Sequence, residues 1–181
     1  MDAKDYLLGH WMKNEIWTHL ELPKHQARLR RCAETVRGGE SFLDVGCGLG
    51  HSTAIMRGFV PGRWAGLEFF PGVLPEARAF FPDIKFYAAE DFNLLPVCGK
   101  WDGVVCSEVI EHVPDDAGLL RGLLEITNKT LVLSTPARYV NDPGHLRLYT
   151  HEMLDALLEG LDAKVLVCGR FFYITVRKDL S

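Results

Sequence analysis

The sequence predicts an α/β fold: a doubly wound, mostly parallel sheet with helices on both faces. Three observations carry this. From Ser41 onward, short apolar runs alternate with helical patterns, the rhythm of strands joined by right-handed crossovers. The first run leads into a loop with glycine at every second position, Gly46, Gly48 and Gly50. Acids stand at the ends of successive runs, on the edge where open parallel sheets bind their ligands.

The elements follow in chain order. Leu8, Met12, Ile16 and Leu20 recur every four residues until Pro23 interrupts. Leu29, Cys32, Ala33 and Val36 form a second stripe that stops at Gly38 and Gly39, a helix C-terminal signal. These two amphipathic helices are expected to make a cap over residues 1–38. Tyr6, Trp11 and Trp17 equip the cap as an aromatic lid, although aromatic residues at such spacing more often pack into a core.

Residues 41–181 are expected to form the core of a single domain. Its candidate strands are "SFLDV", "RWAGLE", "IKFYA", "WDGVVCS" and "KTLVLST", with helical patterns over 51–58, 71–81 and 115–127 between them. Thr150 is a suitable N-cap for a helix carrying Met153, Leu154, Leu157, Leu158 and Leu161. The last runs, "DAKVLVCG" and "RFFYITVRK", meet at Gly169 and Arg170, close enough for an antiparallel hairpin.

Composition narrows the class. Hydrophobic residues at 48% and charged residues at 24% suit a globular domain. The 20 basic and 24 acidic residues give a net charge of −4 without any block of one sign, which argues against a surface that grips nucleic acid. The five cysteines are odd in number and lack CxxC spacing, as expected of free thiols in a reducing compartment. The N-terminal residues mix acids with apolar side chains, unlike a secretory signal, and no apolar run is long enough to span a bilayer. The expectation is a cytoplasmic protein with no membrane partner; oligomeric state is left open.

The stretch "SFLDVGCGLGHST" is the most informative. Alternating glycines let the backbone turn sharply and let a ligand approach main-chain N–H groups. In "RWAGLEFFPG" the next run ends on Glu68, placed to accept ribose hydroxyls. In "FYAAEDFNLLP" the third is followed by Glu90 and Asp91, a pair able to take the amino group of a purine. A dinucleotide would set its pyrophosphate over GxGxxG. The pattern here is DxGxGxG, and the acidic edge suits a cation bearing ribose and adenine better, which disfavours a nicotinamide oxidoreductase.

On these residues the chain resembles the class I S-adenosylmethionine-dependent methyltransferases, from about Ser41 to the C-terminus. "LDVGCGLG" is similar to that family's first motif, "GLE" to its ribose-binding acid, "AEDFNLLP" to its adenine-side motif and "WDGVVCSEVIEHVPD" to its fourth. The resemblance implies a seven-stranded α-β-α sandwich whose last strand inserts antiparallel. It implies S-adenosylmethionine as cofactor and S-adenosylhomocysteine as product. Asp44 would lie near the methionine end, and Gly46, Cys47, Gly48 and Gly50 beneath the ligand. Glu68 with Phe69 would hold the ribose, and Asp91 with Phe92 the adenine, Glu90 being the alternative one residue away. Ser107 would lie near the sulfonium.

One cluster stays open. In "CSEVIEHVPDD", Glu108, Glu111 and His112 would share one face if a helix began there. Similar runs occur in family members that bind no metal, where they line the substrate mouth. The segment is also similar to RNA 3′-terminal 2′-O-methyltransferases, in which such a run and one later His bind a divalent cation; His145 in "NDPGHLRLYT" stands where that His would. "TPxR…GHLRxYT" is equally similar to small-molecule and sugar methyltransferases. The expectation is a metal-free site with His112, His145 and Glu108 as catalytic residues, and a small-molecule acceptor methylated on oxygen or nitrogen. The alternatives are a metal-dependent 2′-O-methyltransferase acting on an RNA 3′ end, and a non-catalytic cofactor-binding subunit.

Overall fold

The computed structural model describes residues 20–178. The expected first helix and the lid residues Tyr6, Trp11 and Trp17 lie outside the described residues. The second stripe is a helix, α1, over Pro23–Val36. Proline suits its first turn, where the missing N–H is not needed. Leu29, Cys32, Ala33 and Val36 are all buried, and so is Arg28.

The core alternates as expected: β1 (Ser41–Val45), α2 (His51–Phe59), β2 (Arg63–Glu68), α3 (Leu74–Phe80) and β3 (Lys85–Ala88). A single turn, α4 (Leu95–Cys98), leads to β4 (Trp101–Ser107). Then come α5 (Asp116–Ile126), β5 (Thr127–Pro136), α6 (His151–Leu157), β6 (Ala163–Cys168) and β7 (Phe171–Arg177). The seven strands form one sheet in the order β3-β2-β1-β4-β5-β7-β6. The first five run parallel. The last strand, β7, lies between β5 and β6 and is antiparallel to both.

Each face is covered by its own apolar layer. One joins Leu29, Cys32 and Val36 of α1 to Met56, Trp64, Val105 and Tyr173. The other joins α5 and α6, through Leu119, Leu123 and Leu154, to Leu43, Leu67, Val104 and Ile174. Burial on both faces explains why these strands are continuous apolar runs. The chain reverses direction of the strand order between β1 and β4, so their carboxyl ends open a crevice there.

Two helix starts carry side-chain caps, the expected one at Thr150 and a second at Asp115. Thr150 accepts from the Met153 N–H, and Asp115 from the Gly118 N–H. The segment before Asp115 differs from expectation. No helix begins at Glu108; the turn Ile110–His112 is a short 3-10 segment, and Glu108 has a positive φ of 58°. A residue in that region cannot start a right-handed helix, so Glu108 does not share a helical face with Glu111 and His112. All five cysteines are free; Cys32, Cys47 and Cys106 are buried, Cys98 is half-buried and Cys168 is exposed.

Candidate active site

The glycine loop is held shut from both sides. Gly46, Gly48 and Gly50 all have positive φ, which only glycine adopts freely. A Cβ on Gly46 would also run into the Val109 side chain. The Gly46 and Cys47 N–H groups donate to the Leu67 carbonyl at 2.8 and 3.1 Å. Asp44 is buried and accepts from Ser52 Oγ at 2.6 Å and Thr53 Oγ1 at 2.7 Å, tying the end of β1 to the first turn of α2. Burial pushes the Asp44 pKa up to about 6, against the pull of those two hydroxyls.

Glu68 closes the loop from β2. One oxygen accepts from the Gly48 N–H at 2.7 Å, the other from Phe69 and Phe70 at 2.8 and 3.0 Å. Burial raises its pKa too, with the three N–H groups opposing. Phe69 stacks edge-to-face on Phe92, their centroids 5.6 Å apart, so the residues that follow Glu68 and Asp91 meet. Asp91 and Glu90 are both exposed, and Asp91 Oδ1 accepts from the Asn93 N–H at 2.9 Å.

Beyond β4 the geometry changes. Ser107 Oγ lies 2.8 Å from Ser134 Oγ, and the Glu108 N–H donates to the Ser134 carbonyl at 2.8 Å. Arg28 of α1 reaches across, its Nη1 3.0 Å from Glu108 Oε2. Glu111 is fully buried, and neither of its carboxylate oxygens has a hydrogen-bond partner. Burial, followed by the charge of Glu108, pushes the Glu111 pKa up to about 8.

The segment after β5 folds back over this turn. Leu146 N–H donates to the Glu111 carbonyl at 2.9 Å, and His112 Nδ1 lies 3.0 Å from the Gly144 carbonyl. Arg147 straps the two together. It donates to the Pro114 carbonyl at 2.8 Å and pairs with Asp116 at 3.0 Å, and Asp116 also accepts from the buried Tyr149 hydroxyl at 2.9 Å. The strap sets the His112 and His145 rings 4.6 Å apart, nearly perpendicular. Burial, then the neighbouring His112, lowers the His145 pKa, with Asp142 opposing.

Glu111, His112 and His145 can each offer a ligand atom within 4.8 Å of the others; Glu108 is not part of that group. The structure therefore brings the two expected histidines together and adds Glu111 to them, while Glu108 turns to Arg28. Arg28, Arg147 and Tyr149 were not anticipated from the sequence. Arg28 stands inside a basic run, "RLRR", that reads as a solvated face, and only its place beside Leu29 on the buried stripe hints otherwise.

Comparison with known proteins bears on this edge. A family described as "Methyltransferase domain" matches residues 16–166. Trans-aconitate 2-methyltransferase of Escherichia coli is 32% identical over 96 residues, which are 52% of this chain and 38% of that protein. The chain thus spans well under half the length of the curated relatives it matches. Among solved structures, magnesium protoporphyrin IX methyltransferase from Synechocystis PCC 6803 with bound SAM superposes with a TM-score of 0.68 at 15% identity, over 98% of both chains. Streptomyces venezuelae DesVI does so with a TM-score of 0.72 at 17% identity, over 93% of this chain and 98% of that one.

Proposed function

The chain belongs to the methyltransferase-domain family, with the fold of the class I S-adenosylmethionine-dependent enzymes, and we propose that it methylates an oxygen or nitrogen of a small-molecule acceptor. The cofactor is S-adenosylmethionine, whose sulfonium supplies an activated methyl group. The residues present fit it. The loop backbone is bare at its glycines, and buried polar atoms remain without partners at Arg28 Nε and Glu108 Oε1. The observation that carries the reading is Glu68, a buried carboxylate clasped to the loop through the Gly48 N–H at the end of β2. Glu68 would hold the ribose, Asp91 or Glu90 the adenine amino group, and Asp44 would keep the loop in register.

On the acceptor side, His112 is the general base of this reading. The Gly144 carbonyl facing Nδ1 only accepts, so Nδ1 carries the proton and Nε2 keeps its lone pair. Nε2 would then take the proton of a hydroxyl or amine. His145 stays neutral beside it, and the Arg147 strap holds both rings in place. The E. coli relative's name carries a small organic acid as acceptor, and the net charge of −4 is consistent with a small molecule rather than a nucleic acid.

Calorimetry with S-adenosylhomocysteine tests the cofactor assignment: Glu68→Ala is expected to weaken binding by about 1–3 kcal/mol, and unchanged affinity would refute it. His112→Ala is expected to lower turnover by about 10²–10⁴-fold with cofactor affinity retained.

A second reading is favoured by one observation, the approach of Glu111, His112 and His145 within 4.8 Å around a carboxylate that lacks partners. Oxygen and imidazole donors suit magnesium or manganese, which would lower the pKa of an acceptor hydroxyl; the acceptor would then be an RNA 3′ end. Chelation separates the two. Activity that survives it sustains the first reading, and activity lost and then restored by manganese establishes the second.

A further inference from the structure

Arg28, which is buried, and Glu108, whose side chain is 22% exposed, form an ion pair that is incomplete on both sides. Arg28 is 4% exposed, and its Nη1 lies 3.0 Å from Glu108 Oε2. Arg28 Nε and Glu108 Oε1 are nevertheless both buried without a partner. A guanidinium and a carboxylate free to settle on each other form a two-pronged fork; here the second prong is open at each end. Glu108 is also the one non-glycine residue with positive φ among the described residues, at 58°. Backbone strain and an unmet buried acceptor on the same residue are held there for a reason other than packing.

The position of the pair narrows that reason. Glu108 directly follows β4, and Val109 packs against Gly46 of the loop. Arg28 lies close enough for Asp44, Glu108 and Glu111 all to feel its charge. The pair therefore stands beside the carboxyl ends of β1 and β4, close to Asp44 and Glu111. Its guanidinium is backed by the Phe171 ring, 5.0 Å from the centroid, so the open Nε has no route to water behind it.

An open buried N–H beside an open buried carboxylate oxygen is complemented by a group that both accepts and donates, and a zwitterion does this with charges matched to the pair. An anion alone would be repelled by Glu108, and a cation alone by Arg28. We propose that Arg28 and Glu108 jointly hold the amino-acid end of S-adenosylmethionine, Arg28 Nε–H donating to its carboxylate and Glu108 Oε1 accepting from its ammonium. This rests on the cofactor reading above and goes further. It assigns a cofactor-binding role to a residue of the N-terminal helix, outside every motif of the core, and moves Glu108 from the acceptor side to the cofactor side.

Two ligands test it by calorimetry. S-adenosylhomocysteine carries the amino-acid end; 5′-methylthioadenosine keeps adenine, ribose and thioether but lacks it. Arg28→Met is expected to weaken S-adenosylhomocysteine binding about 10–100-fold and to leave 5′-methylthioadenosine affinity within twofold. Equal losses for the two ligands, or no loss for the first, would overturn the proposal. Arg28→Met leaves Glu108 buried without its partner, so two further variants carry the test if it fails to fold. Arg28→Lys keeps the charge but has no Nε–H, and Arg28→Met with Glu108→Gln makes the pair neutral. Each is expected to lose S-adenosylhomocysteine selectively, and parallel behaviour of the two ligands in both would again refute the assignment. A wild-type protein that binds neither ligand would sink the cofactor reading and this proposal with it. Wild-type binding with no selective loss in any variant sinks only this proposal.

Discussion

Asp44 and Glu111 are both buried carboxylates on the same edge of one sheet, and the chain treats them in opposite ways. Asp44 accepts from two hydroxyls of α2, and Glu68 beside it accepts from three backbone N–H groups. Glu111 has no hydrogen-bond partner on either oxygen. A carboxylate whose donors come from its own chain is a fixed charge, already organised for a ligand that never varies. One without donors is satisfied only by a proton, a cation or a substrate. The loop and ribose side of the cofactor site is thus finished before any ligand arrives, whereas the acceptor side is completed by what it binds.

That contrast can be broken most severely at the loop. Gly46→Val combines a β-branched residue at positive φ with a collision against Val109. Urea unfolding is expected to show a loss of about 2–5 kcal/mol, and an unchanged midpoint would mean that the loop is less organised than described. Next comes the strap on the other half. Arg147→Met frees the segment carrying His145 from Pro114 and Asp116. Turnover with an acceptor found by metabolite screening is expected to fall by about 10–100-fold, with S-adenosylhomocysteine affinity unchanged. A parallel loss of affinity would show that the halves are not separable.

The third effect is one of sign. Glu111→Gln removes a carboxyl that ionises freely in the unfolded chain but is held protonated up to about pH 8 by burial in the folded one, and is expected to stabilise the fold at pH 7 by about 1–2 kcal/mol while lowering turnover. Asp44→Ala strands two hydroxyls and is expected to destabilise by about 1–3 kcal/mol. Thermal melts giving both changes the same sign would erase the distinction. The shallowest signal is a dependence on pH. Folding raises the Asp44 pKa from 3.8 to about 6, so the folded protein keeps this proton after the unfolded chain has lost it. Its contribution to stability is therefore greatest at low pH, falls as pH rises from about 4 to about 6, and is level above. Asp44→Asn is expected to lack this limb, and identical pH profiles for the two proteins would contradict the assigned cause.

The loop and ribose side of the cofactor site was legible in the sequence because its chemistry is local. Asp44, the three glycines and Glu68 each sit where an apolar run ends, and parallel strands buried on both faces bring those ends together without further information. The rest of the crevice depends on contacts distant in sequence. Glu108, Glu111 and His112 have helical spacing, yet the bond from Glu108 N–H to Ser134 and the pull of Arg28 turn Glu108 away. His145 meets His112 only because Arg147 and Tyr149 engage Asp116 across 31 and 33 residues respectively. No periodicity records such a strap. Arg28 was missed for a related reason, since an arginine among arginines signals solvent until a helix is seen to bury it.

The place of β7 in the sheet has a consequence for synthesis. Because β7 lies between β5 and β6, a strand made later is interior to one made earlier. Until residues 171–177 have emerged and paired, β6 has no neighbour to join, and the edge of β5 stands open with Leu131, Val132 and Leu133 along it. Such an edge is a template for another chain. The nascent protein therefore passes its most aggregation-prone moment with the rest of the parallel sheet already able to form. Phe171, Phe172, Tyr173 and Ile174 close the gap when they pair with Pro136, Thr135, Ser134 and Leu133, so the edge stays bare for as long as that last pairing is delayed.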